Sequence, residues 1–218
     1  MLSPGQTLAD IGTDHGYVPI EALRRGLCER AIACDIGTGP LARAAEHAEQ
    51  YGVSEHVDLR LGDGLEPVSP GEADHIVIAG MGGPLMADIL CRGGQTACAA
   101  RQLILGPQSE LDVFRRSLLT EYSIEAERLV EEEGKYYFLI DARPGADPEV
   151  RPYTDAELLY GRRESFDAAS LQVRERLLAR DRGVAENILA GLRENNSEAA
   201  AVRREELYKT LQDIDALR

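Results

Sequence analysis

Apolar runs of strand length alternate with stretches of helical periodicity through the first two thirds of the chain. Thr7–Ile11 reads as a buried strand, followed by a helix through Ile20-Glu21-Ala22-Leu23. Ala31–Asp35 reads as a second strand, with Leu41–Tyr51 as its helix. Val57–Leu61 alternates polar and apolar positions, and Ala73–Ala79 and Gln102–Leu105 are buried-type runs. Helices are predicted over Pro84–Leu90 and Glu110–Thr120. Such alternation predicts βαβ units and a parallel sheet. The pattern then changes: Ser123–Glu131 and Lys135–Asp141 flank Glu132-Glu133-Gly134, a hairpin signal with glycine in the turn.

Beyond Arg143-Pro144-Gly145-Ala146-Asp147-Pro148, a Pro/Gly linker, the periodicity is helical throughout. Thr154-Asp155-Ala156-Glu157 has the form of a capping box, in which the Thr hydroxyl and the Glu carboxylate each satisfy a free backbone N–H. Leu177, Val184, Ile188 and Leu192 make one apolar stripe, and Leu207, Leu211, Ile214 and Leu217 another. With Asn195-Asn196-Ser197 as a turn, the economical reading is an antiparallel helix pair. The expected organisation is an α/β domain over residues 1–147 and a helical, coiled-coil-like unit over residues 148–218. The stripes are short, which favours pairing within one chain and a monomer; a homodimer through the same stripes is the alternative.

The first predicted strand ends on Asp10 and breaks into Ile11-Gly12-Thr13-Asp14-His15-Gly16-Tyr17-Val18-Pro19 at the mouth of a helix. In open α/β sheets a nucleoside-bearing cofactor sits in the crevice beyond the carboxyl ends of the strands. Asp14 stands where a dinucleotide fingerprint has its second glycine, so a cofactor without a pyrophosphate is expected. S-adenosylmethionine (SAM) is that candidate. A second glycine turn, Asp35-Ile36-Gly37-Thr38-Gly39, competes for the same role. Strand counting separates the two. If Asp10–Gly16 closes the first strand, five strands precede the hairpin, the count of the class I SAM-dependent methyltransferase sheet, a Rossmann-like and mostly parallel sheet with a C-terminal antiparallel hairpin. Asp35 then ends the second strand, where an acid about 20 positions on can accept both ribose hydroxyls. Asp63-Gly64 follows the third strand, and its carboxylate can accept from an adenine amino group.

Ile78-Ala79-Gly80-Met81-Gly82-Gly83-Pro84 follows the fourth predicted strand, where a transferred methyl would meet its acceptor. Its glycines let a backbone approach a flat base, and they equally suit a tight strand-to-helix turn. No Asn/Asp-Pro-Pro-aromatic motif of exocyclic-amine methylation is present, so an acceptor that is already nucleophilic, such as a ring nitrogen, is favoured. Gln108 can offer its amide to a base edge, while the adjoining Ser109 can N-cap the next helix. Tyr17, Met81 and Gln108 are the candidates for holding the acceptor. His15 either braces the glycine turn or shuttles a proton.

The net charge of −14 speaks against nucleic acid, whose binding is driven by Lys and Arg. Its distribution tempers that: residues 1–147 carry 12 Lys and Arg against 24 Asp and Glu, and residues 148–218 carry 12 against 14. Arginines there suit phosphate, but a mixed-charge helix surface would look the same. Cys28, Cys34, Cys91 and Cys98 form no CxxC pair and read as small buried thiols rather than a metal site. No stretch of about 18 apolar residues is available, and Met1-Leu2-Ser3-Pro4 lacks signal-peptide architecture, so a cytoplasmic protein is expected.

Taken together, these segments resemble the bacterial tRNA adenine-22 N1-methyltransferases, the TrmK family. The likeness lies in Ala9–Pro19, Gly39-Pro40-Leu41, Gly62-Asp63-Gly64-Leu65, Ile78–Gly83, Leu103-Ile104-Leu105 with Pro107-Gln108, and Glu132–Tyr137. It runs in order through about residues 8–143; the tail resembles the family only in type. The resemblance implies SAM-dependent methylation of N1 of an adenine in the D-arm of tRNA, with the helical tail helping to hold the tRNA. It also implies a cofactor site lined by Asp10, Gly12, Asp14, His15, Gly16, Asp35, Ile36, Asp63, Gly64, Gly80 and Met81. Two departures stand out. The family usually has a helix before the first strand, where this sequence has Met1–Gln6, and Gly106 replaces the more usual Gln before Pro107. Two other functions fit the same residues: a SAM-dependent methyltransferase with a protein or small-molecule acceptor, and a non-catalytic SAM-binding scaffold.

Overall fold

Residues Leu8 to Ile11 of β1 (Thr7–Ile11) are all buried, because the strand lies between two parallel neighbours and is covered on both faces. The computed structural model describes residues 1–147, 149–193, 195 and 197–217; Pro148 of the expected linker and Asn196 of the expected turn lie outside them. Six further strands follow: β2 (Arg30–Asp35), β3 (Val57–Leu61), β4 (His75–Met81), β5 (Gln102–Pro107), β6 (Tyr122–Glu132) and β7 (Lys135–Pro144). Their order is β3-β2-β1-β4-β5-β7-β6, with the first five parallel and β7 antiparallel to both its neighbours. The order reverses direction at β1, between β2 and β4. That is the switch point at which an open sheet leaves a crevice beyond its carboxyl edge.

The sheet is flanked by α1 (Tyr17–Arg24), α2 (Thr38–Gln50), α3 (Gly83–Arg92), α4 (Gly94–Ala99) and α5 (Leu111–Leu118). Two boundaries differ from the sequence expectation for physical reasons. β4 continues past Ala79 to Met81 because a bulge absorbs Gly80 and keeps the pairing with β5. The hairpin turn places Glu133 at φ 49° and Gly134 at φ 76°, the two left-handed residues whose twist matches paired strands. The main core gathers Ile11, Ile32, Ile76, Ile78, Met86, Leu103, Leu105, Phe114 and Ile140.

The tail is α6 (Asp155–Tyr160), α7 (Ala168–Gly191) and α8 (Glu198–Ala216), with the Thr154/Glu157 capping box formed. Its hydrophobic faces share a core with the hairpin: Leu129 and Phe138 pack with Tyr160, Phe166, Leu177, Leu178 and Ile214. Charge is buried at the same junction. Arg115 and Glu127 are wholly buried and pair at 2.5 Å, and Arg115 also donates to the carbonyls of Leu158 and Leu159. Arg174, also fully buried, donates to the carbonyls of Tyr160, Gly161 and Leu217.

The stripe expected on α7 is displaced. Val184 and Ile188 are exposed, and Leu177, Leu178 and Ala185 take the inner positions. The tail's arginines favour the mixed-charge reading: Arg176 pairs with Glu131, Arg182 with Glu186 and Asp215, and Arg203 with Glu206. The cysteines divide: Cys28 and Cys34 are buried, whereas Cys91 and Cys98 are exposed, against the expectation for all four. Among the described residues no helix is long and apolar enough to cross a membrane.

Candidate active site

The exit of β1 is tied to β2 by two donors to one acceptor: the N–H groups of Gly12 and Thr13 both reach the Cys34 carbonyl, at 2.8 and 3.0 Å. This needs Gly12 at φ 77°, where a side chain is strained; a Cβ there would also lie 2.0 Å from Met81 Cε. Beyond the turn opens a cleft of about 190 Å³. Its walls are Ile11, Gly12, Cys34, Asp35, Ile36, Gly62, Asp63, Gly64, Met81, Leu85 and Ile89. The ends of β1, β2, β3 and β4 thus contribute to one hollow.

The three strand-end carboxylates differ in place and state: Asp35 and Asp63 line the cleft, whereas Asp10, like Gly80 and Gln108, lies off its walls. Asp10 is buried at the end of β1, and desolvation pushes its carboxyl up to about 6. The Thr13 hydroxyl opposes the shift and the nearby Asp35 carboxylate adds to it. Asp35 accepts from the Gly37 N–H at 2.7 Å through Oδ1. Asp63 accepts on both oxygens from Arg92, at 2.8 and 3.2 Å, and that guanidinium holds its carboxyl below the usual range.

Met81 and Gln108 are brought together: the Gln108 N–H donates to the Met81 carbonyl at 2.9 Å, and the side-chain amide lies beside Gly80. Gly83 answers a packing demand, since a Cβ there would lie 2.6 Å from the Ser109 carbonyl oxygen. Gly106 is confined likewise by Ala79, whose Cβ would be 3.1 Å away. Asp14, His15, Gly16 and Tyr17 lie off the cleft walls, facing α2. Asp14 pairs with Arg43 and, at 3.2 Å, with His15. His47 Nδ1–H donates to the His15 carbonyl at 2.9 Å, which serves the bracing reading of His15. The rings of His15, Tyr17 and His47 lie nearly parallel, 5.1 to 5.5 Å apart, with Tyr17 57% exposed.

Arg92 is the residue that sequence reasoning missed. Its only sequence signal is its place four residues after Asp88, to which it also donates at 2.8 Å, and that spacing alone suggests an ordinary surface pair.

Residues 1–140 match the family described as "Methyltransferase domain". Over 142 residues the chain is 41% identical to the tRNA (adenine(22)-N(1))-methyltransferase of Bacillus subtilis, covering 65% of this chain and 60% of that relative. Against solved structures the likeness extends through the tail. The B. subtilis m1A22 tRNA methyltransferase TrmK superposes with a TM-score of 0.80 at 30% identity, covering 99% of this chain and 93% of that one. The chain belongs to the TrmK methyltransferase family. Another relative, the Streptococcus pneumoniae putative tRNA (m1A22) methyltransferase, gives a TM-score of 0.84 at 30% identity, covering 100% and 94% of the two chains. A second structure of that S. pneumoniae protein is a complex with S-adenosyl-L-methionine. The TrmK-family fold is therefore present here from the first strand to the last helix.

Proposed function

We propose that this chain transfers a methyl group from SAM to N1 of adenine 22 in the D-arm of tRNA. The observation that carries the reading is the cleft at the switch point, where Asp35, Asp63 and Met81 line one hollow and Asp10 lies buried just before its Ile11–Gly12 wall. Its residues suit the cofactor. Asp10 is a buried carboxyl for a cationic group. Asp35 can take the ribose hydroxyls, Asp63 the adenine amine, and Ile36, Leu85 and Ile89 the faces of the base. Asp14, His15, Gly16 and Gly80 support the turns that carry these groups.

Bound there, SAM supplies an electrophilic methyl on a sulfonium sulfur. The N1 lone pair of adenine is already nucleophilic, so the protein's task is orientation rather than proton removal. The target base leaves its stack to reach such a site. The Gly80–Gly83 backbone, the Gln108 amide and the exposed Tyr17 ring would position it, together with Met81 on the cleft wall. Methylation leaves a cationic base, which the acidic residues of the sheet edge favour. The helical residues 148–218 help hold the tRNA, the working unit is a monomer, and the setting is the cytoplasm.

The test is methyl transfer from labelled SAM to unmodified tRNA transcripts carrying adenine or guanine at nucleotide 22. Label recovered as 1-methyladenosine from the adenine transcript alone is expected. SAM binding without label on either transcript would overturn the RNA reading and favour a protein or small-molecule acceptor, which the excess of acids in residues 1–147 would suit.

A further inference from the structure

Asp63 stands on the wall between two hollows. One is the cofactor cleft; the other, about 370 Å³, is lined by Leu65, Glu66, Ser69 and Thr96 and also by Arg92. Arg92 grips Asp63 from the second hollow, Nη1 to Oδ2 and Nη2 to Oδ1, and is itself anchored through Nε to Asp88 on the preceding turn of α3. A forked, two-point grip fixes the plane of a carboxylate as a single bond cannot. Each Asp63 oxygen keeps a second lone pair, because an ionised carboxylate offers about four acceptor sites for the two bonds made. Next to it the Gly64 N–H makes no hydrogen bond among the described residues. Asp63 and Gly64 therefore present an acceptor beside a donor, the complement of the N6 amine and N1 of adenine.

We propose that Arg92 is a positioning residue for cofactor specificity: by clamping Asp63 it fixes the acceptor that reads the amine of the cofactor's adenine and rejects a deaminated base. The inference rests on the SAM reading above. The mechanism is physical. The fork restrains the plane of the Asp63 carboxylate and disfavours the protonation that would turn it into a donor. A hypoxanthine ring offers O6 and N1–H where adenine has an amine and a bare N1, so it meets acceptor with acceptor and donor with donor. A loosened Asp63 can rotate away or protonate, and the penalty against hypoxanthine shrinks.

The experiment measures dissociation constants of S-adenosylhomocysteine and S-inosylhomocysteine, by calorimetry, for the full chain and for Arg92→Gln, Arg92→Lys and Asp88→Asn. The unaltered chain should prefer the adenosyl compound by about a hundredfold, the scale on which a site built for a hydrogen bond rejects its mismatch. Arg92→Gln should narrow that ratio about tenfold through weaker adenosyl binding. Arg92→Lys, which keeps charge but not the fork, should fall between, and Asp88→Asn should narrow the ratio least. The ratio is the informative readout, because a merely structural role would weaken both ligands equally. An unchanged ratio in Arg92→Gln and Arg92→Lys, with both ligands still bound, overturns the role of Arg92. Equal binding of the two ligands by the unaltered chain overturns it one step earlier, at Asp63. Failure of the unaltered chain to bind either ligand would instead strike down the cofactor reading. Asp88→Asn lies outside the cleft, so it keeps the test informative if an Arg92 variant does not fold.

Discussion

The carboxyl edge of the sheet and the junction between hairpin and tail both concentrate charge, but they treat it in opposite ways. At the junction, Arg115, Glu127 and Arg174 have no exposed surface and bond to one another, to the Ser165 hydroxyl and to backbone carbonyls, with Arg115 Nε left without a partner among the described residues. At the cleft, Asp35 and Asp63 keep unused lone pairs, and the buried Asp10 sits with its acidic neighbour Asp35 rather than a cation. Paired charge that is fully buried holds elements in place. Under-satisfied charge is held ready for a ligand, at a cost in stability.

The largest effect belongs to Arg115→Ala, which strands Glu127 without its partner and should cost about 3–5 kcal/mol in urea unfolding. Stability unchanged by that substitution would mean the buried pair does not hold the junction. Next, Asp10→Asn should weaken SAM binding about a hundredfold while leaving the fold as stable or more so, since a desolvated anion is removed. Loss of cofactor binding and of stability together would put Asp10 in the structural class. Third, cofactor affinity should fall about tenfold from about pH 7.5 to about pH 5, because Asp10 takes up a proton near pH 6. On stability the same group works the other way. Its folded value lies above the ordinary 3.8, so the folded chain holds an extra proton between about pH 4 and 6, and that contribution is lost as pH rises through about 6. Titration of SAM affinity in the unaltered chain and in Asp10→Asn, where the slope should vanish, checks the first statement, and urea unfolding of both proteins from about pH 4 to about pH 7 checks the second. The smallest effect is Val184→Ser on the exposed face of α7, expected within about 0.5 kcal/mol by thermal melting. A larger loss would show that this face is covered in solution.

Much of the sheet could be read from residue order because strands buried on both faces are written as unbroken apolar runs, as in Leu8–Ile11 and Leu103–Leu105. The glycine turn was legible for the same local reason: Gly12 must take a left-handed conformation. What stayed hidden was non-local. Nothing near Arg174 in sequence says that its acceptors are Tyr160, Gly161 and Leu217, and an arginine amid helical periodicity reads as surface. Val184 and Ile188 looked like core for the converse reason: their spacing suits a partner helix, but the hairpin covers a different arc of α7. At the site, Asp63 could be placed from its strand end, whereas Arg92 belongs to α3 and meets it only in the fold.

The buried pair at the junction also sets an order of events in biosynthesis. Chains emerge from the N-terminus, and domains generally fold as units as they appear. Arg115 and Glu127 lie within the sheet half, but the carbonyls that complete Arg115 come from Leu158 and Leu159, and the residues that roof Glu127 include Ser165 and Phe166. A nascent chain that has delivered the hairpin but not α6 therefore carries an unfinished polar cavity at the edge of its sheet. Translation must proceed past the capping box before the catalytic half can close, so a ribosome stalled short of Thr154 would present quality control with a sheet that looks complete in sequence and is open at its last strand.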